Sequence, residues 1–383
     1  MIDGQMNIFD VIYPKFKIDK PIRLIELFGG YGSQALALKY LGVKFEHWKL
    51  VEWAVKSIQA YKDIHYPNDD TDYSKDMTIE DVIENLFFYG ISNNYNEPMK
   101  YEQIKRLNEK QLRTIYNNIR ATHNFVDIQT THASNLEIED TDKYCYIMTY
   151  SFPCQDLSLA GKGKGMSDTT TRSGLLWEVE RILTECYELG TMPQVLLMEN
   201  VSQVHSVDNL EDFNKWKDRL AELGYKNYFQ DLIATDYGIP QTRNRCFMVS
   251  ILGEYNYTFP KPIPLKLKLK DLLEEEVDEK YYLSEKQLED IQHWNSYEKP
   301  LENMNKTEKC QCSPTLTTRT GAYAAGMILI KNATKKGYLE ANEGDGIDIS
   351  SRMDSHRGTV QKNKSQTITT MGGENVGVVV NDG

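Results

Sequence analysis

Residues Ile22–Leu41 read IRLIELFGGYGSQALALKYL, and this stretch decides the fold. Ile22–Phe28 alternates and clusters apolar residues as a buried strand does, and Gly29-Gly30-Tyr31-Gly32 follows as a tight turn. Ser33 can cap a helix whose apolar face is Ala35, Leu36, Leu38 and Leu41. A strand, a glycine turn and a helix open a nucleotide-binding α/β unit, in which glycines let a ligand approach the backbone and the helix start offers free N–H groups. One such turn is weak evidence by itself, since many α/β folds carry one.

The chain outward from that turn fits the same reading. Glu46–Val51 is a second strand ending in Glu52-Trp53, about 20 residues past the glycines, where such folds bind ribose hydroxyls. A surface glutamate beside a packing tryptophan is the other reading, and the position after the turn favours ribose. From Asn68 to about Ser134 the sequence turns acidic and rich in Asn and Tyr, with one helical stretch expected around Tyr101–Ile119. This segment is an insertion on the scaffold, either touching substrate or decorating the surface.

Tyr144–Thr149 is the next strand, and it delivers SFPCQDLSLAGKGKGM, Ser151–Met166. Cys154 sits between Pro153 and Gln155, ahead of a loop of three glycines with Lys162 and Lys164. A thiol at a strand end before a mobile basic loop suits a nucleophile that closes over an anionic substrate. A buried structural cysteine is the competing reading. Pro153 lacks a backbone donor, and the polar Gln155 and Asp156 speak for a strand end. Further on, Leu175, Leu176, Val179, Ile182 and Leu183 have helical spacing. Val195–Met198 is a strand ending in Glu199-Asn200-Val201, and a carboxylate at the end of a buried strand sits where α/β sheets bind ligands. Helix Asp212–Leu223 follows, then IPQTRNR runs into strand Cys246–Leu252. Alternation before that strand places the Arg243 and Arg245 guanidiniums on one face, suited to carboxylate or phosphate.

A domain boundary falls near Phe259, after which Pro260 and Pro262 change the composition. Leu265–Lys270 alternates apolar residues with lysine as a strand with one basic face. The repeat Ser313–Thr318 and Ser365–Thr370 precedes apolar runs Met327–Ile330 and Val376–Val380, each copy reading as a β-hairpin. Arg319, Arg352 and Arg357 flank these segments, along a nucleic-acid groove or simply on β-structure.

The 383 residues are 40% hydrophobic and 26% charged, ordinary for a globular chain. The net charge of −12 argues against general adhesion to nucleic acid. It does not exclude a local basic groove, because seven acids crowd Asp69–Glu84 and six crowd Asp271–Glu279. No signal-peptide pattern is present, no apolar run approaches a membrane span, and the six cysteines form no framework, so a cytoplasmic location is expected. Cys310 and Cys312 form a lone CxC read as ordinary thiols, and no metal is expected.

Taken in order, ELFGGYGS, VEW, SFPCQDLS, MENV and PQTRNR resemble the cytosine-5 DNA methyltransferases over Ile22 to about Pro67 and Asn135–Leu252. The resemblance implies a doubly wound, Rossmann-like α/β sheet binding S-adenosyl-L-methionine, with a smaller, mainly β target-recognition domain. Residues 1–259 would be the catalytic and cofactor domain, with the insertion at about 68–134, and 260–383 the recognition region. By position, Phe28, Gly29, Gly30 and Gly32 would line the methionine end, Glu52 would take the ribose and Trp53 would stack on adenine. Asn135 stands where the family has an aspartate at the adenine amine. Leu136, Pro153 and Leu175 would complete the pocket. Cys154 would be the nucleophile, Glu199 the carboxyl at cytosine N3, and Arg243 and Arg245 the active-site arginines. Gln155, Ser158, Lys162, Lys164, Arg172, Gln241 and Arg319 would meet duplex DNA. The family's characteristic C-terminal segment and final helix are not recognisable here. The expectation is therefore a truncated recognition region, a second polypeptide supplying the piece, or impaired cofactor binding. Two other functions stay open: a catalytically weak DNA-binding protein or half of a split enzyme, and a cytosine-5 RNA methyltransferase.

Overall fold

The computed structural model describes residues 14–152, 173–241, 243–267 and 271, together with strands at 313–315, 328–331, 338–341, 346–348, 359–361 and 376–380 and residue 362. Contacts divide the chain into two compact units, Met1–Asp231 with Arg245–Phe259, and Leu232–Asn244 with Pro260–Gly383.

The first unit is built on a six-stranded sheet in the order β2-β1-β3-β4-β6-β5. Its strands are β1 (Ile22–Leu27), β2 (Phe45–Val51), β3 (Cys145–Tyr150), β4 (Val195–Asn200), β5 (Tyr225–Ile233) and β6 (Asn244–Leu252). Pairings β1–β2, β1–β3 and β3–β4 are parallel, and β4–β6 is antiparallel. Helix α1 (Ser33–Tyr40) joins β1 to β2, α7 (Leu176–Leu189) joins β3 to β4, and α8 (Leu210–Glu222) joins β4 to β5. Successive strand side chains point to opposite faces. Ile22 and Leu24 of β1 therefore pack with Ala35, Cys145 and Ile147 on one face. Ile25 and Leu27 pack with Tyr146, Met148, Leu176 and Trp216 on the other. Burial on both faces is what a parallel sheet requires, and each fully buried large side chain contributes roughly 1.5–3 kcal/mol. The doubly wound expectation holds. Leu41 departs from the expected helix face, since it is largely exposed beyond the end of α1.

Strand order reverses at β1, whose neighbours are β2 on one side and β3 on the other. Such a switch point opens a crevice outside the carboxyl ends of the strands, and ligands bind there. Leu27 pairs with Tyr150, so Phe28 and Ser151 leave the sheet side by side, and the Ser151 hydroxyl donates to the Phe28 carbonyl at 3.4 Å.

After α2 (Val55–His65), the inserted segment forms α3 (Ile79–Tyr89), α4 (Tyr101–Ile104), α5 (Glu109–Ala121) and α6 (Ala133–Leu136). The single helix expected over Tyr101–Ile119 is two helices. Asn108 accounts for the break: its side chain accepts from the Gln111 N–H, and the Gln111 side chain accepts from the Asn108 N–H. That reciprocal cap starts a new helix at Glu109. Thr78 and Asp81 cap α3 in the same way. The segment owns a core of Val82, Leu86, Ile104, Leu112 and Ile119, joined by Ile58 of α2, so it is more than surface decoration.

The second unit carries a four-stranded sheet ordered β11 (Thr359–Gln361), β10 (Gly346–Asp348), β12 (Val376–Val380) and β7 (Ser313–Thr315), and a two-stranded sheet of β8 (Ile328–Lys331) and β9 (Tyr338–Ala341). The first threonine repeat is not a local hairpin. Its strand β7 pairs antiparallel with β12, while the apolar run after it, β8, pairs with β9. Partner choice in a sheet is set by long-range packing, which a repeat alone does not reveal. The second copy, Ser365–Thr370, lies outside the described residues. Residues 265–267 are not in a strand, and 268–270 lie outside the described residues.

Candidate functional site

At the carboxyl end of β1 the backbone turns through left-handed conformations at Phe28 (φ 57°), Gly30 (φ 57°) and Gly32 (φ 80°). The glycines differ in surroundings. A Cβ on Gly29 would run into Leu50 Cδ1, and one on Gly32 into His65 Nε2 and Tyr61. A Cβ on Gly30 would meet nothing within 4 Å, so open space lies in front of that residue. Gly32 is the N-cap of α1 without a side-chain cap, which leaves helix N–H groups for a ligand. Glu52, buried at the end of β2, accepts from the Gly30 N–H through Oε2 at 2.9 Å and from the Ala54 N–H through Oε1 at 2.7 Å. Burial raises its pKa, and those N–H groups oppose the rise. Trp53 is half-buried against the core of the inserted helices. An open glycine cradle, a helix start whose N-cap residue has no capping side chain and an adjacent carboxylate with an indole fit a ligand that joins an amino acid to a nucleoside.

Three other expected cofactor residues stand differently. Asn135 caps α6, its Oδ1 accepting from the His132 N–H at 2.8 Å. Leu136 is fully buried in the main core, and its carbonyl accepts from Trp48 Nε1 at 2.7 Å. Leu175 closes a short 3-10 turn, Ser173–Leu175, and packs half-buried on the main core.

Glu26 was not singled out by the sequence. It lies beneath the glycine turn at 1% exposure, its Oε2 accepting from the Tyr61 hydroxyl at 2.6 Å and its Oε1 from the Ala35 N–H at 3.4 Å. Burial pushes its carboxyl up to about 7 against those two hydrogen bonds. The available signal was a carboxylate in a strand whose other buried residues are all apolar.

On the neighbouring strands, Glu199 is the penultimate residue of β4, and its Oε1 lies 3.2 Å from Nε of Arg245 on β6. The side chains are 17% and 14% exposed. Asn200 was also missed: its Nδ2 donates to the Phe152 carbonyl at 3.1 Å, and its Oδ1 accepts from the Val201 N–H at 2.8 Å. It therefore ties the end of β4 to the residue that leads into Pro153. Arg243 immediately precedes β6 and belongs to the second unit, while Arg245 lies within the strand. The Arg243 carbonyl accepts from the Ala234 N–H at 2.9 Å, and the Gln241 N–H donates to the Ile239 carbonyl at 2.7 Å. Pro153, Cys154, Gln155, Ser158, Lys162, Lys164, Arg172 and Arg319 lie outside the described residues.

Among the described residues one group, His205, Asp231 and Cys246, brings three metal-ligand types within 4.8 Å. His205 Nε2 is 2.8 Å from Asp231 Oδ1 and its ring rests on Phe213 and Phe229. Burial, with Asp231 and Glu199, pushes the Cys246 thiol up to about 12. The group reads as a His–Asp hydrogen bond beside a neutral thiol. No described helix is long and apolar enough to cross a membrane.

The family profile described as C-5 cytosine-specific DNA methylase matches residues 102–373. The orphan methyltransferase M.SssI of Spiroplasma monobiae is 37% identical over 270 residues, 69% of this chain and 68% of that protein. The Type II methyltransferase M2.ScrFI of Lactococcus lactis subsp. cremoris is 36% identical over 275 residues, 70% of this chain and 72% of that protein. Among solved structures, the S. pombe Dnmt2 methyltransferase aligns at 16% identity with a TM-score of 0.44, covering 72% of this chain and 67% of that one.

Proposed function

This chain belongs to the C-5 cytosine-specific DNA methylases, and from that premise we propose that it methylates cytosine C5 in duplex DNA with Cys154 as nucleophile and Glu199 and Arg245 beside it. The observation that carries the assignment is the Glu199–Arg245 pair at 3.2 Å, set on β4 and β6. Asn200 of the same β4 end holds Phe152, two residues before Cys154.

The residue types follow from the chemistry. Cytosine C5 is a poor nucleophile, and activating it requires addition to the ring. The Cys154 thiolate would form a bond to C6, pushing the ring electrons toward C5, while the Glu199 carboxyl at N3 stabilises that density. S-adenosyl-L-methionine, when bound, supplies an electrophilic methyl group on a sulfonium. Methyl transfer to C5 would break the methyl–sulfur bond, its pair left on a neutral thioether. The C5 proton would then leave to a base, the C5–H pair re-forming the C5=C6 bond, and the Cys154 thiolate would depart with the C6–S pair. Arg243 and Arg245 supply positive charge that favours a thiolate over a thiol. The reacting carbons are stacked inside a duplex, so the base must swing out of the stack.

In the same proposal Phe28, Gly29, Gly30 and Gly32 line the methionine end, Glu52 holds the ribose and Trp53 the adenine, with Asn135, Leu136, Pro153 and Leu175 completing the pocket. The open cradle at Gly30 and the buried carboxylate against its N–H support this reading. Gln155, Ser158, Lys162, Lys164, Arg172, Gln241 and Arg319 contact DNA. Residues 1–259 act as the catalytic part, 260–383 read the target, and the cytoplasm is where the DNA is met. A second polypeptide beside the glycine turn is a finer part of the proposal, supported by Tyr31 of that turn, which is 55% exposed.

Radiolabelled methyl transfer tests the reading. Wild-type chain should label duplex DNA and not tRNA, and Cys154→Ser should abolish labelling while S-adenosylhomocysteine affinity stays within about twofold, because only the nucleophile is lost. Labelling of tRNA alone, or retained activity in Cys154→Ser, would reject it.

A further inference from the structure

The Glu52–Trp53 turn is held from outside the sheet by the inserted segment. Asn124, just past α5, is 8% exposed and uses both ends of its amide. Its Oδ1 accepts from the N–H groups of Glu52 at 3.0 Å and Val126 at 2.9 Å, and its Nδ2 donates to the Glu52 carbonyl at 2.8 Å. Two converging N–H groups fix which atom is the oxygen. The backbone here runs as a short parallel strand beside β2: the Leu50 N–H donates to the His123 carbonyl at 3.3 Å, and the Phe125 N–H to the Leu50 carbonyl at 2.9 Å. The Asn124 side chain continues that ladder past the end of the strand, along Glu52. On the far side the Val55 N–H donates to the Ser92 carbonyl and the Ser92 N–H to the Trp53 carbonyl, both at 2.8 Å.

This placement is strained. His123 (φ 51°) and Val126 (φ 68°) are both left-handed, and a β-branched residue is rarely found there. Strain of this kind persists only where surrounding contacts over-determine it, and it gathers at functional sites.

We propose that Asn124 is a positioning residue for the cofactor ribose, and that the inserted segment is thereby part of the cofactor site. The inference rests on Glu52 as the ribose ligand. Without the Asn124 amide, the buried N–H and C=O of Glu52 lose their partners, and the backbone must turn toward water to recover them. The carboxylate turns with it, away from Gly30.

The test compares two ligands on the full-length chain by calorimetry: S-adenosylhomocysteine and its analogue lacking both ribose hydroxyls. Wild type should prefer the hydroxyl-bearing ligand by about tenfold or more, the size of one hydrogen bond to a charged group. Glu52→Ala should erase the preference. Asn124→Ala should shrink it by about threefold or more, and Asn124→Asp, which keeps both accepted bonds and loses the donated one, should move it the same way. Arg113→Ala is the control for loosening the inserted helices. Arg113 donates to the Ser74 carbonyl at 2.6 Å and the Met77 carbonyl at 3.2 Å, so its loss should lower the melting temperature and leave the preference alone. A wild-type preference in both Asn124 variants overturns the inference. A wild-type preference in Glu52→Ala overturns the ribose assignment instead, so the two failures are told apart.

Discussion

Two alanine substitutions in one turn should have opposite balances of damage. Gly30 and Gly32 both have positive φ, so either alanine adopts a left-handed conformation that costs roughly 1–2 kcal/mol. At Gly30 that is the whole stability cost, because a Cβ there meets nothing within 4 Å. At Gly32 the Cβ would press on His65 and come within 2.7 Å of Tyr61 Cε2, and Tyr61 is anchored to Glu26. Overpacking of that kind costs roughly 1–3 kcal/mol more. Gly32→Ala should therefore lose about 2–5 kcal/mol in all, and melt lower than Gly30→Ala by about 2–4 °C for each extra kcal/mol. Ligand binding should rank the other way. The open space before Gly30 is where the methionine end would lie, so Gly30→Ala should weaken S-adenosylhomocysteine by about tenfold or more, or about 1.4 kcal/mol. Thermal melts and calorimetry on both variants provide the assay. Equal melting temperatures, or a Gly30→Ala variant that binds as wild type, would refute the reasoning.

Three further outcomes are expected. Glu26 is an acid whose folded pKa is raised, from 4.5 to about 7, so its contribution is complete below 4.5 and disappears as pH climbs through 7. Glu26→Gln should then match wild type in urea titrations at pH near 4 and exceed it by up to about 3 kcal/mol near pH 8, and a pH-independent difference would contradict the assignment. Asn200→Ala should lower kcat by about tenfold through the lost tie to Phe152, with S-adenosylhomocysteine affinity unchanged; a change confined to affinity would count against it. Asn108→Ala should cost about 1 kcal/mol by uncapping α5, read as a lower melting temperature, and an unchanged melt would show that the cap is idle.

The sheet was legible because its strands are short apolar runs with punctuation that local chemistry dictates. Ile22–Leu27 before three glycines, and Val195–Met198 before Glu199, need little context to read. The inserted helices were legible only in part. Thr78-x-x-Asp81 and Asn108-x-x-Gln111 are capping boxes that could have placed both helix starts, but acidic composition masked the first and continuous helical spacing the second. The strand partners of the second unit were not legible, since β7 finds β12 some sixty residues away, a pairing fixed by tertiary contacts. In the site, Glu52 and Glu199 announced themselves by standing at strand ends. Asn124 and Asn200 did not, because both act through backbone groups of other residues, and nothing in the chain near an asparagine shows which distant amide it will meet.

The central claim is a covalent bond between Cys154 and cytosine C6, and one measurement addresses it directly. Duplex DNA carrying 5-fluorocytosine in place of cytosine cannot lose a proton from C5 after methyl transfer, so the thioether should persist. With S-adenosyl-L-methionine present, the wild-type chain should form a denaturation-resistant DNA adduct that peptide mass spectrometry maps to Cys154, and Cys154→Ser should form none. An adduct on any other cysteine, or one that survives Cys154→Ser, would contradict the account.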